Sequence, residues 1–386
     1  MTSASVDKSA VETDRPLSIL DLSKVELEEL VTELGQPAYR AKQLWRALYF
    51  ELRQSFDDMT SLPVQLREQL KERFIISPLE KVYYLSSKDG STDKALFKLP
   101  DGELIETVLM RYEPDGHRRV RRTVCVSTQA GCALGCTFCA TGQQGFRRQM
   151  TPGEIVSQVM YMESVARAED DEQIAQGSRT KGERQGVTNI VFMGMGEPLA
   201  NYDNTLTSIR TINDDQGLHI GARHITVSTV GLVPQILQLA KEDLQINLAV
   251  SLHAPDNETR SETMPVNKRY PIEELIGACK KYVEKTNRRI FYEYVLLYGQ
   301  NDSEAHAERL GKLLQGTLCH VNLIPVNPTE DGPFRRPDRE RRTAFQQVLR
   351  NFGVPSTIRM EKGIDINAGC GQLRARAIDI EEAITN

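Results

Sequence analysis

From Thr123 to Val326 short β-rich runs alternate with longer amphipathic ones, and this alternation narrows the possible folds more than any other feature of the chain. The candidate strands are TVCVST, TNIVFMG, HITVSTV, INLAVSL, IFYEYVLL and HVNLIPV. Between them lie stretches such as GEIVSQVMYMESVA, IEELIGACKKYVEK and EAHAERLGKLL, with apolar residues at helical spacing. Parallel strands need crossovers of a dozen or more residues, so about six such units define an α/β domain built on a parallel sheet. Six is two short of a closed eight-fold barrel. A partial (β/α)6 barrel and a doubly wound sheet both satisfy the periodicity.

The segment ahead of this domain reads differently. Residues 1–16 are polar and small, a terminal tail. Residues 17–78 carry helical patterns, LDLSKVELEELVTELGQ and AYRAKQLWRALYFELRQSF, with Gly35 placed to end the first, and form a small helical domain. Residues 79–122 alternate and are broken at Asp89-Gly90 and Asp101-Gly102, the signature of antiparallel hairpins and thus of a short β extension. The α/β domain then spans 123–376, and 377–386 form a C-terminal tail. Residues 166–186 read as a solvated surface insertion, and 113–122 as an exposed hairpin tip with a basic cluster.

The chain has no run of about 20 apolar residues and no apolar signal core, which predicts a cytoplasmic protein that does not enter a membrane. With 48 basic and 53 acidic residues the net charge is −5, so any nucleic-acid contact must be local. Seven cysteines are too few for a disulfide scaffold, and a tight cluster of them in a reducing compartment points to metal or catalysis.

Cys132, Cys136 and Cys139 form a C-x3-C-x2-C run just after the first strand of the α/β domain. Three thiolates within eight residues of loop can surround one soft metal centre, zinc or iron–sulfur. A structural zinc requires a fourth ligand, and the nearest candidate, Cys125, lies inside a strand. Further along, Gly196 and Glu197 follow the strand TNIVFMG, and Ser228, Ser251, Leu252, His253 and Asn327 lie at other strand ends. Ligands of α/β sheets bind at such ends, although each residue taken singly reads as ordinary turn chemistry. Cys370, between Gly369 and Gly371, reads alone as a small residue in a tight turn, and Glu106 as one carboxylate on an alternating strand.

The C-x3-C-x2-C run with an aromatic before its last cysteine resembles the signature of radical S-adenosylmethionine enzymes. CVSTQAGCALGCTFCATGQQGF, FMGMGEPLAN, SLHAP and INAGCGQLR together resemble the RlmN family of adenine C2 methyltransferases, over residues 17 to 376. The resemblance implies a partial radical S-adenosylmethionine barrel and a [4Fe–4S] cluster held by Cys132, Cys136 and Cys139, with one iron open. It also implies two molecules of S-adenosylmethionine per turnover, bound by Gly196, Glu197, Ser228, Ser251, Leu252, His253 and Asn327. Within it Cys370 becomes a methyl carrier, Cys125 the thiol that resolves the protein–RNA adduct through a transient disulfide with Cys370, and Glu106 the acceptor of the C2 proton. Adenine C2 lies between two electron-withdrawing nitrogens and cannot take a methyl cation directly, so a radical route is required.

The implied partners are 23S rRNA at adenosine 2503, tRNA at adenosine 37 and a reducing electron donor, with the protein acting as a monomer. Basic groups that could meet RNA phosphates include Arg118, Arg119, Arg121 and Arg122, the pair Arg147 and Arg148 beside the cysteine loop, Arg288 and Arg289, and five arginines between 335 and 342. Arg40, Lys42 and Arg46 lie on one N-terminal helix. Two alternatives stay open: the sister family that methylates C8 of the same rRNA adenosine, and a colourless zinc-stabilised RNA-binding module. The connection from Tyr112 to Arg122 is longer than the resemblance leads one to expect.

Overall fold

The computed structural model describes residues 17–113, 120–183, 185–327, 333–360 and 362–373. The two predicted tails therefore fall outside the described residues, as do 374–376 at the end of the α/β span. In the N-terminal part, α1 (Lys24–Glu33), α2 (Tyr39–Trp45) and α3 (Val64–Arg73) pack around Leu27, Leu44, Leu48 and Leu66. Ser23 and Glu26 form a capping box at the start of α1, and Gly35 beyond its end adopts φ +73°.

The two hairpin signals hold. β1 (Glu80–Ser86), β2 (Thr92–Lys98) and β3 (Leu104–Tyr112) pair antiparallel, turning at Asp89-Gly90 and Asp101-Gly102. They are no separate unit, since β3 pairs with β4 (Arg121–Cys125), the first strand of the parallel array. Tyr112 pairs with Arg121, so β3 and β4 run antiparallel on either side of the long connection, of which 114–119, with Arg118 and Arg119, lie outside the described residues.

After β4 the chain makes a small hairpin, β5 (Gln129–Gly131) with β6 (Phe146–Gln149), around the cysteine loop and α4 (Ala140–Gln144). α5 (Pro152–Ala175) follows, opened by a Thr151–Glu154 capping box with proline in its first turn. The parallel strands are β7 (Asn189–Phe192), β8 (Ile225–Thr229), β9 (Asn247–Ser251), β10 (Ile290–Leu296) and β11 (Cys319–Pro325). Their crossovers run through α6 (Tyr202–Asn213), α7 (Val233–Leu239), α8 (Asn257–Thr263) with α9 (Ile272–Thr286), and α10 (Glu304–Leu314). α11 (Arg339–Asn351) then leads to β12 (Ser356–Ile358), which pairs parallel with β11. The sheet is one ten-stranded array in the order β1-β2-β3-β4-β7-β8-β9-β10-β11-β12, the partial (β/α)6 barrel with an extra short strand at its far edge. Buried on both faces, the parallel strands are rich in Val, Ile and Leu.

The helical domain docks on this barrel. Asp21 accepts the Gly153 N–H at the start of α5, and Asp214 beyond α6 accepts from Lys24 and from the Trp45 indole. Residues 166–186 correct the sequence reading: the first ten continue α5, and Asp170 is buried. It accepts from Arg122 at 2.7 Å and from the N–H groups of Gln185 and Gly186. A polar composition conceals one inward carboxylate neutralised by a distant arginine. Arg122 is accordingly buried and is no RNA contact.

Candidate active site

The strand ends converge on a cleft lined by Phe138, Gly194, Gly196, Glu197, Ser228, Ser251, His253, Glu293, Asn327, Arg359 and Cys370, among others. Six of the seven candidate cofactor residues line it. The seventh, Leu252, is buried and carries the backbone between Ser251 and His253. Parallel pairing explains the convergence: Ser251 pairs with Glu293, Glu293 with Asn322, and Leu323 with Ile358, so residues one step beyond each strand share one rim.

Gly196 is required by geometry. It has φ +99°, and a Cβ there would lie 2.5 Å from the Gln129 Cβ. Glu197 is buried and its oxygens accept the N–H groups of Leu199 and Val230; burial pushes its carboxyl up to about 7. Arg260, fully buried, donates to the carbonyls of Val230, Ser251 and Leu252 and so ties the loops after β8 and β9 together.

His253 packs edge-on against Phe138 with centroids 4.9 Å apart, and its Nδ1 accepts the Val295 N–H at 2.9 Å. It is a structural acceptor in its Nε2–H form. Burial pushes it down to about 3. The unfolded imidazole titrates near 6.5, so its contribution is complete above that pH and is lost as pH falls toward 3, at up to about 1.4 kcal/mol per pH unit. His253→Asn keeps an acceptor near Nδ1 and tolerates the residue's φ of +57°. The variant is expected to show a flatter loss of stability between pH 6.5 and 4.5 than wild type, measured as denaturant midpoints of the cluster-free chain.

Cys132, Cys136 and Cys139 sit on the loop between β5 and α4, all as free thiols. Burial pushes Cys132 up to about 12, with repulsion from Cys139 adding to it; Cys136 is raised by burial and by both other sulfurs. Three soft donors, Cys136 buried and Cys132 and Cys139 half-buried, that feel one another beside Glu197 of the cleft fit a shared thiophilic centre carrying positive charge. Among the described residues no three His, Cys, Asp or Glu side chains close around a single-ion site. Cys125, the candidate fourth zinc ligand, turns elsewhere.

Cys125 lies in a second, smaller cavity that shares Met193, Ile324, Asn327, Arg359 and Cys370 with the first. Its thiol is pushed up to about 12 by burial, with the facing Cys370 sulfur next in size. Cys370 is exposed to solvent and thus opens on both spaces. Its turn is braced: Asn327 Nδ2 donates to the Cys370 carbonyl at 3.3 Å, and Gly369 exchanges hydrogen bonds with Gln372. A Cβ at Gly369 would sit 2.5 Å from Asn327 Nδ2, so close approach accounts for that glycine.

Glu106 lines neither cavity. It lies on the same face of the sheet as Cys125, fully buried, in an ion pair at 2.8 Å with buried Lys94. Lys94 also reaches the Asn367 carbonyl at 3.5 Å, linking the pair to the Cys370 loop.

Several basic candidates prove to be structural. Glu154 binds Arg148 through two 2.7 Å hydrogen bonds and Asp101 binds it as well; Arg336 donates to Asn327, Arg341 to Asp302, and Arg288 to Asn247. Arg147 is exposed beside the cysteine loop. The sequence reading overlooked Glu293, Arg359, Lys94 and Arg260. Only Glu293 left a signal, as a lone carboxylate in the apolar strand IFYEYVLL.

A partial barrel with three thiols at its rim and a glycine-bordered cleft at its strand ends defines a radical S-adenosylmethionine protein. Residues 126–310 match the radical SAM superfamily, and residues 17–76 match the ribosomal RNA large subunit methyltransferase N-terminal domain. A probable dual-specificity RNA methyltransferase RlmN from Chloroflexus aurantiacus is 49% identical over 364 residues, 93% of each chain. The protein so described from Bacillus cytotoxicus is 45% identical over 375 residues, covering 97% of this chain and 98% of its own. The crystal structure of a radical SAM methyltransferase from Sphaerobacter thermophilus superposes with a TM-score of 0.85 at 49% identity, covering 94% of this chain and all of that one. The chain belongs to the RlmN family. Membership implies a [4Fe–4S] cluster and S-adenosylmethionine as cofactors.

Proposed function

We propose that the protein methylates C2 of adenine in RNA, at adenosine 2503 of 23S rRNA and adenosine 37 of tRNAs, with Cys370 as the methyl carrier. One observation carries the reading: the Cys370 sulfur opens both on the cleft of Gly196, Glu197, Ser228 and Ser251 and on the cavity of Cys125. A carrier must visit a methyl donor and a resolving thiol, and this sulfur borders both spaces.

Cys132, Cys136 and Cys139 would hold the cluster, with the backbone at Gly196 and Glu197 receiving the methionine end of S-adenosylmethionine. Ser228, the segment 251–253 and Asn327 surround the remainder. Cluster and S-adenosylmethionine, once bound, supply the methyl group and the one-electron chemistry. The protein's own part is positional. Cys370 carries the methyl carbon to the base and holds protein and RNA together while that carbon bridges them. Glu106, paired with Lys94, would accept the C2 proton. Cys125 then attacks the Cys370 sulfur, forming the S–S bond and releasing the carbon with the base, and a thiol reductant regenerates both cysteines. The reading also needs a low-potential electron donor and a single protein chain in the cytoplasm. Among the described residues no helix is long and apolar enough to cross a membrane.

The test is the product. Nucleosides from 23S rRNA and tRNA treated with the reconstituted protein are expected to contain 2-methyladenosine; 8-methyladenosine instead would establish the C8 alternative.

A further inference from the structure

Arg359 follows β12, and its N–H donates to the Leu323 carbonyl at 2.9 Å, which anchors its backbone to β11. Its guanidinium points inward. Nη1 lies 3.8 Å from the Cys370 sulfur and 3.7 Å from Glu293 Oε2, and the residue lines both cavities. Glu293 on β10 is buried; Oε1 accepts from Asn322 Nδ2 at 2.8 Å, while Oε2 has no hydrogen-bond partner. Oε2 is thus left over for the Arg359 cation 3.7 Å away, the partner that a buried carboxylate needs. Glu293 holds Arg359 beside the sulfur.

We propose that Arg359, aimed by Glu293, is a positioning residue that stabilises the Cys370 thiolate at the boundary of the two cavities. The inference rests on the methyl-carrier reading above. A thiol attacks a sulfonium methyl as its thiolate. The Cys370 proton leaves to solvent and the thiolate pair forms the new S–CH3 bond. The pair of the broken sulfonium–carbon bond stays on the donor's sulfur, so an anion and a cation become two neutral thioethers. Arg359 then loses its anionic partner and Glu293 alone retains it, which frees the methylated arm.

Among the described residues, few charged and titratable groups face this sulfur. Cys125 comes from β4, Arg359 from the end of β12 and Glu293 from β10 behind it. Tyr112 on β3 lies near Arg359, with the Lys362 ammonium 5.1 Å from its ring centroid. The Cys370 sulfur is the largest influence holding the Arg359 guanidinium above its ordinary range, and Glu293 adds to it.

The test is the pH dependence of iodoacetamide alkylation of unmethylated Cys370. It is followed by peptide mass spectrometry in the full-length, cluster-reconstituted protein without S-adenosylmethionine. An opposite charge at this range shifts a titration by about one unit or more. Arg359→Met is therefore expected to raise the alkylation midpoint by about one pH unit and to slow alkylation at pH 7.5 about tenfold. Arg359→Lys should restore part of the shift. Equal midpoints in wild type and Arg359→Met would overturn the inference, even with methylation lost, because Arg359 would then serve only substrate binding. Where Arg359→Met does not fold, Arg359→Gln decides: a raised midpoint supports the inference and an unchanged one overturns it. A wild-type Cys370 that never gains a methyl defeats the carrier reading instead, and the alkylation profile distinguishes that failure from this one.

Discussion

Cys125→Ala is expected to stop turnover after the carbon bridge has formed, leaving the protein covalently attached to its RNA. The geometry makes this specific. Cys125 lies at the end of β4 in a cavity it shares with Cys370, and among the described residues no other cysteine lines that cavity. Removing the thiol leaves Cys370 free to accept a methyl group and reach the base, but nothing adjacent can attack its sulfur. A ribonuclease-sensitive species running above the protein on a denaturing gel would report the adduct, with product falling below detection. Because burial holds the Cys125 thiol up to about 12, only a small fraction is thiolate at neutral pH. Resolution by the wild-type protein should therefore accelerate as pH rises toward that value. Normal product yield from Cys125→Ala, with no adduct, would remove the resolving role.

The largest loss of stability is expected from Lys94→Met. Lys94 is 5% exposed and Glu106 fully buried, and their pairing at 2.8 Å joins β2 to β3 beneath the Cys370 loop. Breaking a buried pair by removing one partner typically costs about 3–5 kcal/mol, because the remaining charge is left uncompensated. Replacing both partners by apolar residues often costs little. Lys94→Met should accordingly lower the denaturant midpoint sharply, while Lys94→Met with Glu106→Leu should recover most of it. If Glu106 accepts the C2 proton, that stabilised double variant stays inactive. Equal instability of the single and double variants would show that the pair acts through packing rather than charge.

These two predictions draw unequally on what the residues alone disclosed. Local signals were readable because local chemistry produces them: the Asp-Gly turns, Gly35 beyond the end of α1, and the Val- and Ile-rich strands that a doubly covered parallel sheet requires. The strand-end residues were found from motif context, and β-pairing then brought them to one cleft. β12 escaped because three residues carry too little periodicity. Lys94 and Glu106 meet through a register, Leu96 opposite Glu106, that no single strand reveals. Arg122 and Arg148 looked like RNA contacts because an arginine's sequence neighbours say nothing of a carboxylate such as Asp170, 48 residues away, or Asp101, 47 away. Arg359 and Glu293 were missed for the same reason: one follows the unrecognised strand, and the other's partner lies across the barrel mouth.

The central claim is that Cys370 carries the methyl group, and peptide mass spectrometry of the anaerobically purified protein tests it most directly. The account predicts a Cys370 peptide heavier by one methyl group, the modification confined to that cysteine and dependent on S-adenosylmethionine. A Cys370 that stays unmodified after cluster reconstitution and incubation with S-adenosylmethionine would contradict it.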